Sequence, residues 1–331
     1  MIGTSRCGMA RVLVSGVLLA SPLVGPGGAA VADATLTYRV NVLTFNLCGG
    51  NNKRNTCAED LTPERRRIWA PQVSSLIRSR DVDVASFTEM CYAQVGLLRQ
   101  QLPDYDFVWY GLGRSATCPR IWGDMTDDLA APNGRTAGIA LAFKNGVVGS
   151  PLRRRLVVDN PFGDPAASLH RRGVLCARSL VGMEYAVGCV THISALETPQ
   201  QVTGKITDWA GDTPVILGGD FNRKPEHAEL TPLYGSGLGT GNYTEVDAGL
   251  ADRLHRGGTP TTRGGRKIDY IFATQSAYRN AGAEVIDTQP ELSDHRPLAG
   301  TFTGTFEGNF AQTFVQTFTQ LITEAFAVTP R

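Results

Sequence analysis

Apolar and polar residues alternate along "YRVNVLTFN" (38–46), a run rich in β-formers, and this period of two predicts a strand. Behind it the period changes. Trp69, Val73, Leu76 and Ile77 recur at helical spacing, and Thr62-Pro63 ahead of them reads as an N-cap followed by proline in the first turn. A buried strand is expected in "DVDVASFTE" (81–89), ending at Glu89. Further strand-like runs are "GIALAFK" (138–144), "GVLCARSLV" (173–181), "YAVGCVTHI" (185–193), "PVILGGD" (214–220), "KIDYIFAT" (267–274) and "RPLAGTF" (296–302). A helix is predicted over 199–210, with Val202, Ile206 and Trp209 on one side.

Many strands, few interleaved helices, no long linker and no internal repeat describe one α+β domain, its sheets packed on each other and its helices outside. Residues 111–136, rich in Gly, Ser, Thr, Asp and Pro, interrupt the pattern and are expected as a long irregular insertion. Near the end of the chain Phe306, Phe310, Phe314 and Phe318 recur every four residues, followed by Leu321, Ile322 and Phe326. That spacing makes one apolar face of a helix, which sets 305–331 apart as a Phe-rich tail.

The first residues have a different order. Arg6 and Arg11 precede the apolar run "VLVSGVLLASPLV", and small residues ending "AAVADA" follow. This is the pattern of a secretory signal peptide over 1–32, too short in its apolar part to span a bilayer comfortably, so a secreted protein is expected. Its removal would take away two arginines and no acid, moving the formal charge from +1 to −1. A near-neutral protein has no bulk attraction to polyanions, and any affinity for nucleic acid or anionic lipid must come from a local patch.

Removal would also take Cys7 and leave Cys48, Cys57, Cys91, Cys118, Cys176 and Cys189. An even number in an exported chain points to disulfides, and nearest-neighbour pairing (48–57, 91–118, 176–189) is the expectation among fifteen connectivities. Zinc is disfavoured, because no CxxC or Cys-His cluster of the usual spacing is present.

The chemistry sits at strand ends. Asn46 ends the first strand, Glu89 the second and His192 "VTHI", while Asp220 and Asn222 close "VILGGDFN". Asp269 lies in "KIDYIF", and Asp294-His295 precede the last strand. A hard cation such as Mg²⁺ takes oxygen donors, often one or two carboxylates with waters and a substrate phosphate. Glu89 and Asp294 suit it, with Asn46 beside them. A histidine can serve as base for an attacking water if a carboxylate fixes its tautomer, which Asp269 could do for His295. His192 would then donate to the phosphate, helped by Arg171 or Arg172, of which Arg172 is nearer the following strand.

The ordered set "TFNLCGG", "SFTEM", "VTHI", "GGDFN", "KIDYIF" and "SDHRP" resembles the endonuclease/exonuclease/phosphatase superfamily over about 38–303. The resemblance implies a four-layer α/β sandwich over 33–304, two mostly antiparallel sheets face to face with helices outside and the site at one edge. It implies Asn46, Glu89 and Asp294 as metal ligands. Asp220 and Asn222 are implied to orient water and phosphate, Asp269 to orient a catalytic His295, and His192 with Arg172 to contact the phosphate. Two departures stand out: Thr88 precedes Glu89 where the family often has Gln, and Cys48 stands where some members place another acid.

The function implied is metal-dependent phosphodiester hydrolysis by in-line water attack. A nuclease on DNA or RNA comes first. A phospholipase C-like enzyme on sphingomyelin or another phospholipid, with a membrane surface as partner, and a phosphatase of small or lipid monoesters are the alternatives. Mg²⁺ is the expected cofactor, with Mn²⁺ and Ca²⁺ as substitutes, and no protein partner is implied. A non-catalytic binding protein on the same fold is the reading of a different class. His170, His227 and His255 are expected at the surface and Arg153, Arg154 and Arg155 on a solvated face. Arg263, Arg266 and Lys267 run directly into Asp269, and whether any of them meets the phosphate path is left open.

Overall fold

Among the described residues, twelve strands and three α-helices position one polar edge. In order they are β1 (Ala34–Asn46), α1 (Pro63–Ser79), β2 (Val84–Cys91), α2 (Tyr92–Gln101), β3 (Asp106–Arg114), β4 (Thr136–Phe143), β5 (Val148–Leu156) and β6 (Arg172–Val181). There follow β7 (Glu184–His192), α3 (Pro199–Ala210), β8 (Val215–Asp220), β9 (Tyr243–Glu245), β10 (Asp269–Thr274), β11 (Tyr278–Val285) and β12 (Leu298–Gly308). The coordinates are a computed structural model that describes residues 34–49, 63–114, 118, 136–156, 172–235, 237–248, 255–289 and 291–308. The expected signal segment, Thr62, Cys57, Arg171, His170 and the tail beyond 308 lie outside the described residues. One compact body spans Thr37–Thr305.

The strands form two six-stranded sheets, β11-β12-β1-β2-β4-β3 and β5-β6-β7-β8-β10-β9. Each is mixed, with antiparallel pairs beside a parallel one, β1–β2 in the first and β7–β8 in the second. Alternation decides which side chains face which layer. Leu43 and Phe45 of β1 and Ala85 and Phe87 of β2 join Trp69, Val73 and Ile77 of α1 and Val95 and Leu98 of α2 in one apolar cluster. Leu217 of β8 and Tyr270 and Phe272 of β10 join Val202, Ile206 and Ala210 of α3 in another. The result is the four-layer sandwich, helices outside two packed sheets.

Intervening residues of the same strands meet between the sheets, and toward the polar edge Thr44, Ser86 and Gly218 are small. A Cβ placed on Gly218 would lie 2.1 Å from Ser86 Oγ and 3.3 Å from Thr44 Cβ. Gly219 has φ +147°, and a Cβ there would lie 2.0 Å from the Thr191 carbonyl oxygen. The Gly pair thus allows close backbone approach just before Asp220.

Helix α3 is defined by its cap: Gln201 N donates to Thr198 Oγ1 (3.2 Å), Thr198 N donates to Gln201 Oε1 (2.9 Å), and Pro199 opens the first turn. Trp209 is only half-buried, with the Arg178 guanidinium 4.1 Å over its ring. Arg153, Arg154 and Arg155 are exposed on β5, which is an edge strand with only β6 beside it. A charged edge discourages further strand pairing.

Several elements differ from expectation. Residues 111–114 belong to β3, so the insertion starts later than 111. Cross-strand pairing with β4 holds them in a strand despite their glycines. Helix α2 and strands β5, β9 and β11 escape the hydrophobic pattern because they are short, polar or edge elements. The second strand starts at Val84, since Asp81 takes φ +49° in a turn. Residues 305–308 extend β12 and do not begin a helix.

Cys91 bonds Cys118 and Cys176 bonds Cys189, the latter pair directly opposite on β6 and β7. Cys48 is also disulfide-bonded. Such bonds persist in oxidising compartments. Among the described residues no helix is long and apolar enough to cross a membrane.

One carboxyl outside the polar edge reports on folding. Burial, set against the backbone N–H of Asn41 (2.8 Å to Oδ2) and nearby Lys144, pushes Asp83 up to about 6 from 3.8. The folded state then holds this proton more tightly than the unfolded chain, so the ionised group costs stability above pH 6 and the cost vanishes as pH falls below 4. Asp83→Asn should stabilise the protein by about 1–3 kcal/mol at pH 7.5, after discounting for partial exposure, and by close to nothing at pH 4. Urea unfolding across that range checks this, and a difference independent of pH would refute it.

Candidate active site

Three adjacent strands carry one polar row. Parallel pairing of β7 and β8 sets His192 beside Asp220, and antiparallel pairing of β8 and β10 sets Asp220 opposite Asp269. Residues in register on neighbouring strands project to one face. From the other sheet Asn46, the last residue of β1, donates through Nδ2 to Asp220 Oδ2 at 3.0 Å. The chain ends of two sheets are thereby tied at one carboxylate.

The turns after these strands repeat one device. Cys48 N donates to Asn46 Oδ1 (2.9 Å), and Asn222 N donates to Asp220 Oδ1 (2.9 Å). In each case a polar side chain caps the backbone two residues on. The third residue of each turn is left-handed, with φ +50° at Cys48 and +49° at Asn222. Asn222 then donates to the Ile193 carbonyl (2.8 Å) and lies 3.3 Å from His192 Nε2. Glu89 reaches the row by another route. Pairing of β2 with β4 shifts register between Phe87 and Met90, and Glu89 takes φ +51° there. Such a bulge re-aims a side chain, and strained backbone of this kind clusters at functional sites.

His295 lies in the segment before β12. It bridges Thr262, and Arg263 N donates to the Asp294 carbonyl (3.0 Å) while Arg296 N donates to that of Thr261 (2.6 Å). Its Nδ1–H donates to Asp269 Oδ2 at 2.8 Å, leaving Nε2 3.9 Å from Asp220 Oδ2. His192 Nε2 stands 3.6 Å from the same oxygen and 3.8 Å from Glu89 Oε1. Arg172 Nη1 lies 2.8 and 2.9 Å from the two ring nitrogens of His192. A guanidinium only donates, so His192 must offer it a bare nitrogen.

Two residues absent from the sequence-based set hold this geometry. Ser293 Oγ donates to the Asn46 carbonyl (2.7 Å) and accepts from His295 N (3.2 Å). Thr261 Oγ1 accepts from the N–H groups of Ile268 and Asp269, both at 3.1 Å. Neither was legible from spacing: Ser293 reaches a carbonyl 247 residues away, and Thr261 reaches across a tight turn to backbone seven and eight residues on.

Burial sets the charge states. It pushes Glu89 upward, opposed by Arg172 and His295. It also pushes Asp220 up to about 7, reinforced by the Asp269 charge and opposed by His295. Burial alone would strip His295 of its proton. The charge and hydrogen bond of Asp269, with Asp220 and Asp294, outweigh that and raise it to about 10.

Three polar atoms here are buried without a hydrogen bond: Glu89 Oε2, Asp269 Oδ1 and Arg172 Nε. Buried polar groups in folded proteins are nearly always satisfied. Two bare carboxylate oxygens suit a hard cation and a bare guanidinium N–H suits an oxyanion. Asn46, Glu89 and Asp294, all oxygen donors, fit such a cation. A separate trio, Asp220, Asp269 and His295, brings ligand-type atoms within 4.8 Å of one another, but there the Asp269–His295 hydrogen bond already occupies one pair.

All nine expected site residues occupy this edge of the two sheets. Of the three basic residues left open, Lys267 is buried in ion pairs with Glu245 (2.9 Å) and Asp247 (3.1 Å). Arg263 pairs with Glu291 (2.7 Å). Arg266 alone faces open space next to Asn222. His227 and His255 are exposed.

Residues 43–295 match the Endonuclease/Exonuclease/phosphatase family. No curated protein sequence matches the chain. Among solved structures, the human Nocturnin catalytic domain with bound sulfate is 16% identical, with 82% of this chain and 96% of that one covered and a TM-score of 0.60. A Bacteroides thetaiotaomicron mannosyl-6-phosphatase is 17% identical over 81% and 99%, TM-score 0.52. D. rerio TDP2 complexed with a single strand DNA product is 16% identical over 80% and 98%, TM-score 0.50. At these identities the neighbours share the fold, while the family match spans the polar edge from β1 to His295. The chain therefore belongs to the endonuclease/exonuclease/phosphatase family and is a phosphoesterase of that family.

Proposed function

We propose that the protein is an exported, divalent-metal-dependent phosphodiesterase acting on nucleic acid. The observation that carries this reading is the pair of imidazoles set about one carboxylate oxygen, His192 at 3.6 Å and His295 at 3.9 Å from Asp220 Oδ2. Two imidazoles and one guanidinium suit in-line displacement at the phosphorus of a phosphate ester, where attacking and leaving oxygens both need managing. Export is supported by the disulfides and by the signal-like first residues. Lipid is the weaker substrate because, among the described residues, only Ile68, Met183 and Leu196 are large, apolar and exposed, each on a different segment.

Arg172, His192 and Asn222 hold the phosphate oxygens. Asp220 accepts the proton of the attacking water, whose oxygen forms the new bond to phosphorus as the ester P–O bond opposite breaks. His295, kept charged and oriented by Asp269, donates to the oxygen that gains charge. Asn46, Glu89 and Asp294 would hold the cation, Mg²⁺ with Mn²⁺ or Ca²⁺ as substitutes. When bound, that ion neutralises charge on a phosphoryl oxygen.

Plasmid DNA incubated with Mg²⁺ should be nicked, EDTA should abolish nicking, and His295→Ala should lower the rate by about 10²–10⁴-fold. Intact DNA with phosphocholine released from sphingomyelin vesicles would move the substrate to lipid, and inactivity on both would remove the phosphodiesterase reading. The rate should rise as pH climbs through about 7, where Asp220 ionises, and fall near pH 10, where His295 loses its proton. A flat profile from pH 6 to 11 would contradict these two roles. Glu89→Gln should raise the Mg²⁺ concentration for half-maximal nicking at least about tenfold, in parallel with weaker Mg²⁺ binding by calorimetry. Unchanged Mg²⁺ binding would take Glu89 out of the ligand set.

A further inference from the structure

A pocket of about 360 Å³ adjoins the polar edge through Asn222. Besides Asn222 it is lined by Lys224, Glu226, His227, Arg266 and Ile268, the last immediately preceding Asp269. Its size falls within the usual range for small-ligand sites.

The floor is fixed. Arg223, also in the lining, is buried and donates to Glu229 Oε2 (2.7 Å) and to the carbonyls of Ser194 (2.9 Å) and Glu197 (3.2 Å). Its own carbonyl accepts from Tyr270 Oη at 2.7 Å. Arg266 is set by a tight turn, where Thr262 N donates to the Arg266 carbonyl (2.9 Å) and Arg266 N donates to Thr262 Oγ1 (3.0 Å). Both lining segments adjoin the polar row in sequence, Asn222 two residues after Asp220 and Ile268 directly before Asp269.

The charges are unevenly committed. Arg223 and Glu229 neutralise each other. Lys224 Nζ and the Arg266 guanidinium have no hydrogen-bond or ion-pair partner among the described residues, and both side chains are exposed. Against them stands one further acid, Glu226. A preformed pocket with two unpaired cations, sharing Asn222 with the catalytic edge, suits an anion covalently tied to the group being hydrolysed. A simple phosphomonoester supplies no such anion, whereas every internal phosphate of a polynucleotide has a neighbour.

We infer that this pocket binds a second phosphate of the substrate, the one next along the strand from the phosphate under attack. The inference rests on the phosphodiesterase reading and narrows its substrate class to polynucleotides and other esters with a second phosphate.

Calorimetric binding of thymidine 3′,5′-bisphosphate, thymidine 5′-monophosphate and thymidine 3′-monophosphate, with Mg²⁺ present, tests it. The bisphosphate should bind at least about tenfold more tightly than either monophosphate. A Lys224→Gln/Arg266→Gln double variant should bring the bisphosphate to within about twofold of the monophosphates while leaving their affinities unchanged. Equal binding of the three ligands by the unaltered protein would overturn the inference. So would a double variant that weakens all three alike, since the two cations would then act as a general field and not as a subsite. The measurement does not depend on turnover: if DNA stays intact the catalytic reading falls, and the bisphosphate preference still decides the pocket.

Discussion

The hydrogen bond from Asn46 Nδ2 to Asp220 Oδ2 joins the two sheets at the edge where the chemistry is gathered. It can form only because the layer between the sheets is thin just behind it. Gly218 packs against Ser86 and Thr44, and a single added carbon there would collide with the serine oxygen. On the outer faces of the same strands bulky apolar residues such as Phe45, Phe87 and Phe272 join the clusters that include α1, α2 and α3. Close approach of the sheets and a shared polar edge are thus one constraint.

That edge concentrates carboxylates at a cost. Asp220 and Asp269 face each other across a strand pair, with Glu89 close enough to raise the Asp220 affinity for protons. Buried like charges are tolerated when protons, cations or hydrogen-bond donors offset them. Here Asn46, the Asn222 N–H, His295 and Arg172 supply part of the offset. The bare oxygens of Glu89 and Asp269 mark where more positive charge fits. The same arrangement that keeps His295 charged also keeps Asp220 ready to accept a proton, so opposite roles follow from one cluster.

Local strain serves the same end. Cys48, Glu89 and Asn222 all adopt left-handed backbone although none is glycine. At Cys48 and Asn222 the side chain two residues earlier compensates by capping the backbone. The two turns close equivalent strands of the two sheets, so each sheet presents its functional side chain by the same local rule. At Glu89 the compensation is a bulge, which turns toward the edge a residue that strict alternation would send outward.

The sequence by itself determined the layered class, the main strands, the apolar faces of α1 and α3, and the polar residues that end each strand. These follow from local period and from residue chemistry, which act within a few positions. It also carried the pairings Cys91–Cys118 and Cys176–Cys189 as nearest neighbours. Only the tertiary structure decided that Lys267 is consumed by Glu245 and Asp247 while Arg266 stays open, and that Ser293 and Thr261 brace the site. Those outcomes depend on contacts that local period does not record, from seven or eight residues apart for Thr261 with Ile268 and Asp269 to 247 for Ser293 with Asn46. Spacing along one chain carries no record of which carbonyl a distant hydroxyl will reach, because strand order and register must first be fixed by packing.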